Sequence, residues 1–387
     1  MIVQWFGFVL GMVIVVFTYR SIISTIILPR SAISIITYRA WQVMHGAYML
    51  VARQRRTYDQ QDRILASLAP MTILFTLAVW ITCFLMGYSL LFLPFVRGNF
   101  WHGLWLSGSS IFTLGVTSLG QPGPVALEFF AAATGLIVIA LLVGYLPTIY
   151  SAYNRRETLV TALSSRVGDP AWGPEVLARH SLDNTLSTLG PLYASWETLA
   201  ADIMETHSSY PWLIVFRSPD PMHSWVTSLL AAIDSAALYL ALSPSQAPME
   251  AGQCLRMGFL CLRKIAHVTG AKIDDDPLPD DPIRLTFDQF ALGVEHLRLS
   301  EFPLERTAEE AWRDYKGWRV NYETAAYILA DFVVAVPAPW SGQRMTTITS
   351  VEEVLNRRPH FRTPDDPEGK LVADFTIFEP IKESIGD

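Results

Sequence analysis

The stretch "SSIFTLGVTSLGQPGP", Ser109 to Pro124, sits between two long apolar runs and is neither charged nor helix-forming. On its N-terminal side runs Leu65–Val96, and on its C-terminal side Val125–Tyr153. Each is long enough for a membrane crossing, which takes about 20 apolar residues as a helix. Pro70 lies near the start of the first run, where proline is tolerated. Between Ile64 and Asn154 the charged residues are Arg97 and Glu128 alone. A third uncharged run, Met1–Tyr19, is just long enough to span.

A connection outside the membrane needs polarity, and "GNFWHGLWLSGSSIF" (Gly98–Phe112) has little. Its Trp, Leu and Ile content predicts a short helix over residues 99–112. At about 1.5 Å per residue such a helix is roughly 20 Å long, enough to enter a bilayer part way. Non-helical backbone at that depth persists only where protein buries it or where it lines a water-filled cavity. The alternative is a plain Thr/Gly/Ser turn, with Pro122, Gly123 and Pro124 as its stop signal. That alternative leaves the Trp-rich half-helix unexplained.

The order of span, half-membrane helix, Thr-x-Gly segment and span resembles the pore module of the potassium channel superfamily, over about Leu65–Tyr153. Thr113, Leu114, Gly115, Val116 and Thr117 stand where that family has T-V-G-Y-G. The likeness extends to bacterial two-span channel-like proteins with an uncharacterised tail. It implies an ion-binding filter at residues 113–117, in which four subunits each give one loop and carbonyl rings replace the hydration shell of a cation. It also implies an outer helix over 65–96, an inner helix over 125–153, a homotetramer, and a permeant monovalent cation, K⁺ first, with no other cofactor or metal.

Three departures bear on selectivity. Thr117 replaces the second filter glycine and resists positive φ, Val116 replaces the bracing aromatic, and Ser118 replaces an acidic residue. They point to fewer binding positions and weaker preference for K⁺ over Na⁺, hence a weakly selective cation channel as a variant reading. Gly135, 20 residues past Gly115, and Gly144 are gating-hinge candidates, with close helix packing as the alternative. Pro147 removes a helical hydrogen bond and marks a bend or a helix end. Glu128 is a pore-mouth candidate, because an ionisable residue in a span is a functional hypothesis by default.

Charge divides the chain. Residues 1–156 hold 10 Lys/Arg and 3 Asp/Glu, a net of +7, and residues 157–387 hold 19 and 33, a net of −14. Arg20, Arg30, Arg39, Arg53, Arg55, Arg56 and Arg63 precede the second run, and Arg155 and Arg156 follow the third. The positive-inside rule then places these segments and the acidic C-terminal part in the cytoplasm of a multi-pass cell-membrane protein, with the N-terminus and 97–124 outside. Within Ser21–Arg63, Ile33, Ile36, Ala40, Met44, Ala47 and Val51 recur at helical spacing. That pattern fits a basic amphipathic helix on anionic inner-leaflet lipids, or one packed against spans.

From Glu157 the pattern is that of a helical soluble domain. In "SPDPMHSWVTSLLAAIDSAALYLALSP", Asp220 reads as N-cap and Pro221 as the first helical residue. Trp225, Leu229, Ile233, Ala237 and Leu240 share one face. The run is apolar enough to suggest a fourth span, but Asp234 at its middle favours a protein core. Further helices are expected over Gln246–Thr269 and through Trp312, Tyr315, Trp318, Tyr322, Leu329 and Phe332; only "KLVADFTIFEP" alternates like a strand. There is no G-x-G-x-x-G and no strand series of a nucleotide-binding roll, so a regulatory ligand or protein partner stays unnamed. The aspartates Asp274, Asp275, Asp276, Asp280 and Asp281 lack EF-hand spacing and read as a solvated loop, with a divalent cation as the alternative. His180, His207, His223, His267, His296 and His360 show no metal or triad spacing.

Cys83, Cys254 and Cys261 form no CxxC or zinc pattern and read as free thiols in a reducing compartment. "MIVQWFGFVL" lacks the basic n-region of a cleavable signal. The sequence therefore predicts an all-α membrane protein in three parts. Residues 1–63 are an N-terminal span and basic linker, 64–156 a pore module, and 157–387 an acidic helical cytoplasmic domain. Enzymatic and nucleic-acid-binding functions find no motif. The competing class is a non-conducting membrane sensor or scaffold that keeps a pore-like loop for packing.

Overall fold

A computed structural model describes residues 2–28 and 34–342. Arg30, Ile33, His360 and the alternating stretch near residues 370–380 lie outside the described residues. Among the described residues the chain is all-helical, without strands. It divides into two compact units, residues 1–54 with 64–151, and residues 55–63 with those from 152 onward. Among the described residues four helices are long and apolar enough to cross a membrane: Ile2–Ile27, Tyr58–Phe92, Pro122–Val167 and Trp225–Leu242. This complement marks a membrane protein.

The first unit is built from α1 (Ile2–Ile22, running on through a π-helical turn Ile23–Ile27), α2 (Ile35–Ala52), α4 (Leu68–Phe92), α5 (Phe100–Ile111) and the first part of α6 (Pro122–Val167). The short α3 (Tyr58–Leu65) leads into α4. α1 lies along α4 at a small-residue contact, where a Cβ on Gly11 would come within 2.5 Å of the Gly87 carbonyl oxygen. Apolar side chains gain little from leaving lipid, so close backbone approach is what holds such helices together. The Trp80 indole N–H adds a bond to the Ser21 hydroxyl at 2.9 Å. α2 packs against α4 and α1, which favours the packed reading of this basic helix, while Ile35, Tyr38, Val43 and Leu50 remain exposed on it.

α4 is shorter than the 65–96 run because Ser67 starts it and Phe92–Val96 close into turns. α6 is longer than 125–153. Pro122 is acceptable in a first turn, and the helix runs on past Pro147 to Val167, before Gly168, which adopts φ +77°. α6 buries the stripe Ala131, Thr134 and Val138 and exposes Phe129, Phe130, Leu136, Ile137, Ile139 and Val143.

The second unit packs α7 (Gly173–Leu182), α8 (Leu189–Ser209), α9 (Trp212–Val215), α10 (Trp225–Leu242), α11 (Met249–Val268), α12 (Phe287–Leu299), α13 (Ala308–Arg319) and α14 (Glu323–Phe332). α10 is its centre, in contact with α7, α8, α11, α13 and α14, and 94% of its residues are buried. Its apolarity therefore serves a protein core. Asp220 does not cap it. Ser224 precedes its first turn, and Asp220 instead accepts the Met222 N–H in the loop before.

Asp234 is satisfied inside this core. Arg319 Nη1 donates to both carboxylate oxygens at 2.6 Å, and the Tyr322 hydroxyl donates at 2.7 Å. Arg319 also donates to Glu323 at 2.9 Å, to the Tyr327 hydroxyl at 2.9 Å and to the Trp340 carbonyl at 2.8 Å. The single helix expected over 311–334 breaks at residues 320–322, and the break lets Arg319, Tyr322 and Glu323 all reach Asp234 or its partner. Burial works against the Arg319 charge, but Asp234, its neighbouring tyrosines and Glu323 outweigh it and hold the guanidinium well above its ordinary range. Burial raises Glu323, whereas Arg319 and the Arg284 and Leu285 N–H groups lower it, and the net is a carboxyl below its usual value.

Substituting Arg319 with Leu leaves a buried carboxylate without its partner and should cost about 3–5 kcal/mol, read as a lower unfolding midpoint of the full-length protein in detergent. His207, buried beside Arg156, titrates well below 6.5, first through burial and then through that charge. Below pH 6.5 the unfolded chain binds a proton at His207 that the folded chain does not. Stability should therefore fall as the pH drops through that value. His223 runs the opposite way, raised by its hydrogen bond to Asp169, so the comparison of wild type with His207→Gln isolates the His207 component of the slope.

Candidate functional site

Asn99 caps α5, its side-chain oxygen accepting the His102 N–H at 3.1 Å. The helix has 12 residues, about 18 Å at 1.5 Å per residue, half the depth a span needs. Two contacts lay it on α4. A Cβ on Gly103 would stand 2.7 Å from the Ser89 carbonyl oxygen, and the Ser107 hydroxyl donates to the Leu85 carbonyl at 3.0 Å. α5 ends at Ile111, and the five candidate filter residues follow directly.

Thr113 to Thr117 do not form a strand; they turn back over the end of α5. Thr113 has φ +54° and Gly115 φ +64°, while Leu114 and Val116 keep negative φ. Glycine takes positive φ freely, but a β-branched residue there is a genuine outlier costing on the order of 1–3 kcal/mol. The compensation is at Ser109. Its carbonyl accepts the N–H groups of Leu114 at 2.8 Å and Gly115 at 3.5 Å. Its hydroxyl oxygen accepts those of Val116 at 3.1 Å and Thr117 at 3.4 Å.

Four consecutive N–H groups thus converge on one residue. In a trans amide the N–H and the preceding C=O point in opposite directions. The carbonyls of Thr113, Leu114, Gly115 and Val116 are therefore turned away from Ser109, and none accepts a hydrogen bond among the described residues. Leu114 and Val116 present exposed side chains. At Thr117 φ stays negative, as its Cβ demands.

Glu128 secures the outer side of the loop. Its carboxylate accepts the Ser118 hydroxyl at 2.7 Å and the Leu119 N–H at 3.0 Å. Gly135 stands at a close approach: the Ile111 carbonyl oxygen, at the end of α5, occupies the space a Cβ there would need. Beside it the Thr134 hydroxyl bonds the Tyr88 hydroxyl at 2.7 Å and also that of Tyr19, joining α6 to α4 and α1. Gly144 has open space around it, and α6 continues unbroken through Gly144 and Pro147, with the Thr148 hydroxyl bonding the Gly144 carbonyl at 3.2 Å. The loop and Gly135 are thus brought together, whereas Gly144 and Pro147 lie farther along α6.

The electrostatics favour a cation. The C-terminal, negative end of α5 abuts the turn, four carbonyl dipoles face outward, and Glu128 adds a carboxylate. Among the described residues no group of His, Cys, Asp or Glu is arranged to hold a metal ion. The acidic loop is internally bonded instead, with Asp275 on His267 at 2.7 Å and Asp281 on the Leu278 N–H at 2.8 Å. Ser109, Tyr19, Tyr88 and Thr134 carry no motif. A serine in the last turn of a short helix, just before a Thr-x-Gly turn, was the available signal for the first of them. No known protein family, curated protein or solved structure matches the chain.

Ser109→Ala removes the acceptor of two N–H groups, each worth about 1 kcal/mol. Amide hydrogen exchange at Val116 and Thr117 should rise about fivefold relative to Leu114, whose acceptor is backbone. Equal acceleration at all three positions would show that the Ser109 hydroxyl has no such role.

Proposed function

We propose that the chain is a subunit of a cation channel that passes monovalent ions down their gradient, K⁺ first. One observation carries the reading. A half-membrane helix between two apolar helices ends in a turn whose N–H groups are gathered on Ser109, leaving four carbonyls unpaired and facing one way. Such carbonyls replace the water shell of a cation only when several sets surround it. One chain supplies one set, so the reading requires assembly, with four copies around the axis. The exposed apolar stripe of α6 and the exposed Phe112, Leu114 and Val116 supply surface for contact between copies and with lipid.

Thr113, Leu114, Gly115 and Val116 offer carbonyl ligands in this reading, and Thr117, without positive φ, ends the row. Fewer positions give weaker discrimination between K⁺ and Na⁺. Glu128 holds the mouth in shape, and Gly135 fixes α6 to α5. In this reading Arg39, Arg53, Arg55, Arg56 and Arg63 favour a cytoplasmic second unit by the positive-inside rule, with Arg97 and the loop on the outer side of the cell membrane.

The test is flux through liposomes holding the purified protein, with K⁺, Na⁺ and Cl⁻ compared, together with the mass of the assembled particle. A tetramer that passes cations and excludes Cl⁻ is expected. Gly115→Val, which forces a β-branched residue into positive φ, should abolish the flux while leaving assembly intact. A dimer without flux would favour a sensor or scaffold.

A further inference from the structure

Arg217 follows α9 and is nearly buried, yet its side chain and its backbone serve two different parts of the chain. The guanidinium Nε donates to Asp62, Nη2 donates to the Tyr58 hydroxyl at 2.7 Å and to the Val334 carbonyl at 3.0 Å, and Nη1 donates to the Val333 carbonyl. Asp62 is itself 5% exposed, so this is a sheltered ion pair. Breaking such a pair by removing one partner is far more costly than breaking a surface pair. Tyr58 and Asp62 lie on α3, which ends three residues before α4 begins.

The other side of the same segment is tied to α6. The Tyr153 hydroxyl donates to the Arg217 carbonyl at 3.1 Å. Arg156, fully buried, donates to the carbonyls of Leu213 and Phe216, both at 2.7 Å, and bonds His207 at 3.0 Å. The segment 213–217 is therefore a strap. One edge is held by the C-terminal part of α6, and through Arg217 the other holds the helix that feeds α4.

We propose that this strap is a coupling device, with Arg217 as its positioning residue: displacement of the α6 segment around Tyr153 and Arg156 is transmitted to α3 and so to the entrance of α4. Two chain passages that are about 90 residues apart in sequence are both bonded to one short segment. For the channel, and resting on the function proposed above, the strap carries the conformation of the helical unit to the two helices that flank the pore loop.

The reciprocal effect is the test, on the full-length protein by amide hydrogen exchange. Tyr153→Phe removes the hydroxyl that donates to the Arg217 carbonyl. Coupling predicts faster exchange over residues 58–63, by about fivefold for a bond of about 1 kcal/mol, with α10 and α11 unchanged. Asp62→Asn should likewise accelerate exchange at residues 150–156. Wild-type exchange over 58–63 in Tyr153→Phe would overturn the proposal, and so would acceleration spread equally over α10 and α11, which marks general loosening. In liposomes, both variants should alter the rate of cation flux severalfold and leave the K⁺ to Na⁺ ratio unchanged. Reciprocal exchange effects with no flux in any variant or wild type would leave the strap standing and overturn the channel reading; altered exchange with wild-type flux in both variants would overturn the strap as a channel coupling.

Discussion

Ser109 accepts the N–H groups of four successive residues, and the rest of the first unit follows from that requirement. Backbone donors left unsatisfied away from water cost several kcal/mol each. One carbonyl and one hydroxyl meet this need from a single position in the last turn of α5. Because amide donors and acceptors point opposite ways, satisfying one side leaves the other open.

That arrangement works only if α5 is held still. Gly103 and Ser107 fix it on α4, Gly135 lets α6 close on its last carbonyl, and Glu128 clasps the loop beyond. The unusual backbone at Thr113 fits this pattern. Strain of this size persists where surrounding contacts over-determine it. The second unit solves a related problem with ions. Asp234 sits in α10, 94% of whose residues are buried, and its charge is tolerable because Arg319 and two tyrosine hydroxyls meet it in good geometry. The break between α13 and α14 is the structural consequence.

Much of this was legible in the residues. Runs of apolar residues set by membrane thickness gave the helices their places, and the Trp-rich stretch after Gly98 gave α5 its length. Asp234 correctly diverted α10 into a core. The glycine at 135 had two readings, hinge or packing, and composition offers no way to choose between them. The fold adds that a carbonyl oxygen of Ile111, 24 residues earlier in the chain, occupies the space a Cβ would need at Gly135. Asp220 was misread as a cap because Asp-Pro is a good helix start anywhere, whereas the loop here needed its carboxylate two residues later.

The sequence by itself determined the class of the molecule: a helical membrane chain, a basic first part and an acidic second part, and one uncharged Thr-x-Gly break. These follow from composition and period, which act locally. Tertiary structure alone decided which way the backbone of that break faces, how far α6 runs, and that one arginine joins α3 to the segment α6 holds. Those depend on hydrogen bonds between residues far apart in the chain, such as Arg217 with Asp62 and Tyr19 with Thr134, and no local pattern encodes such partners.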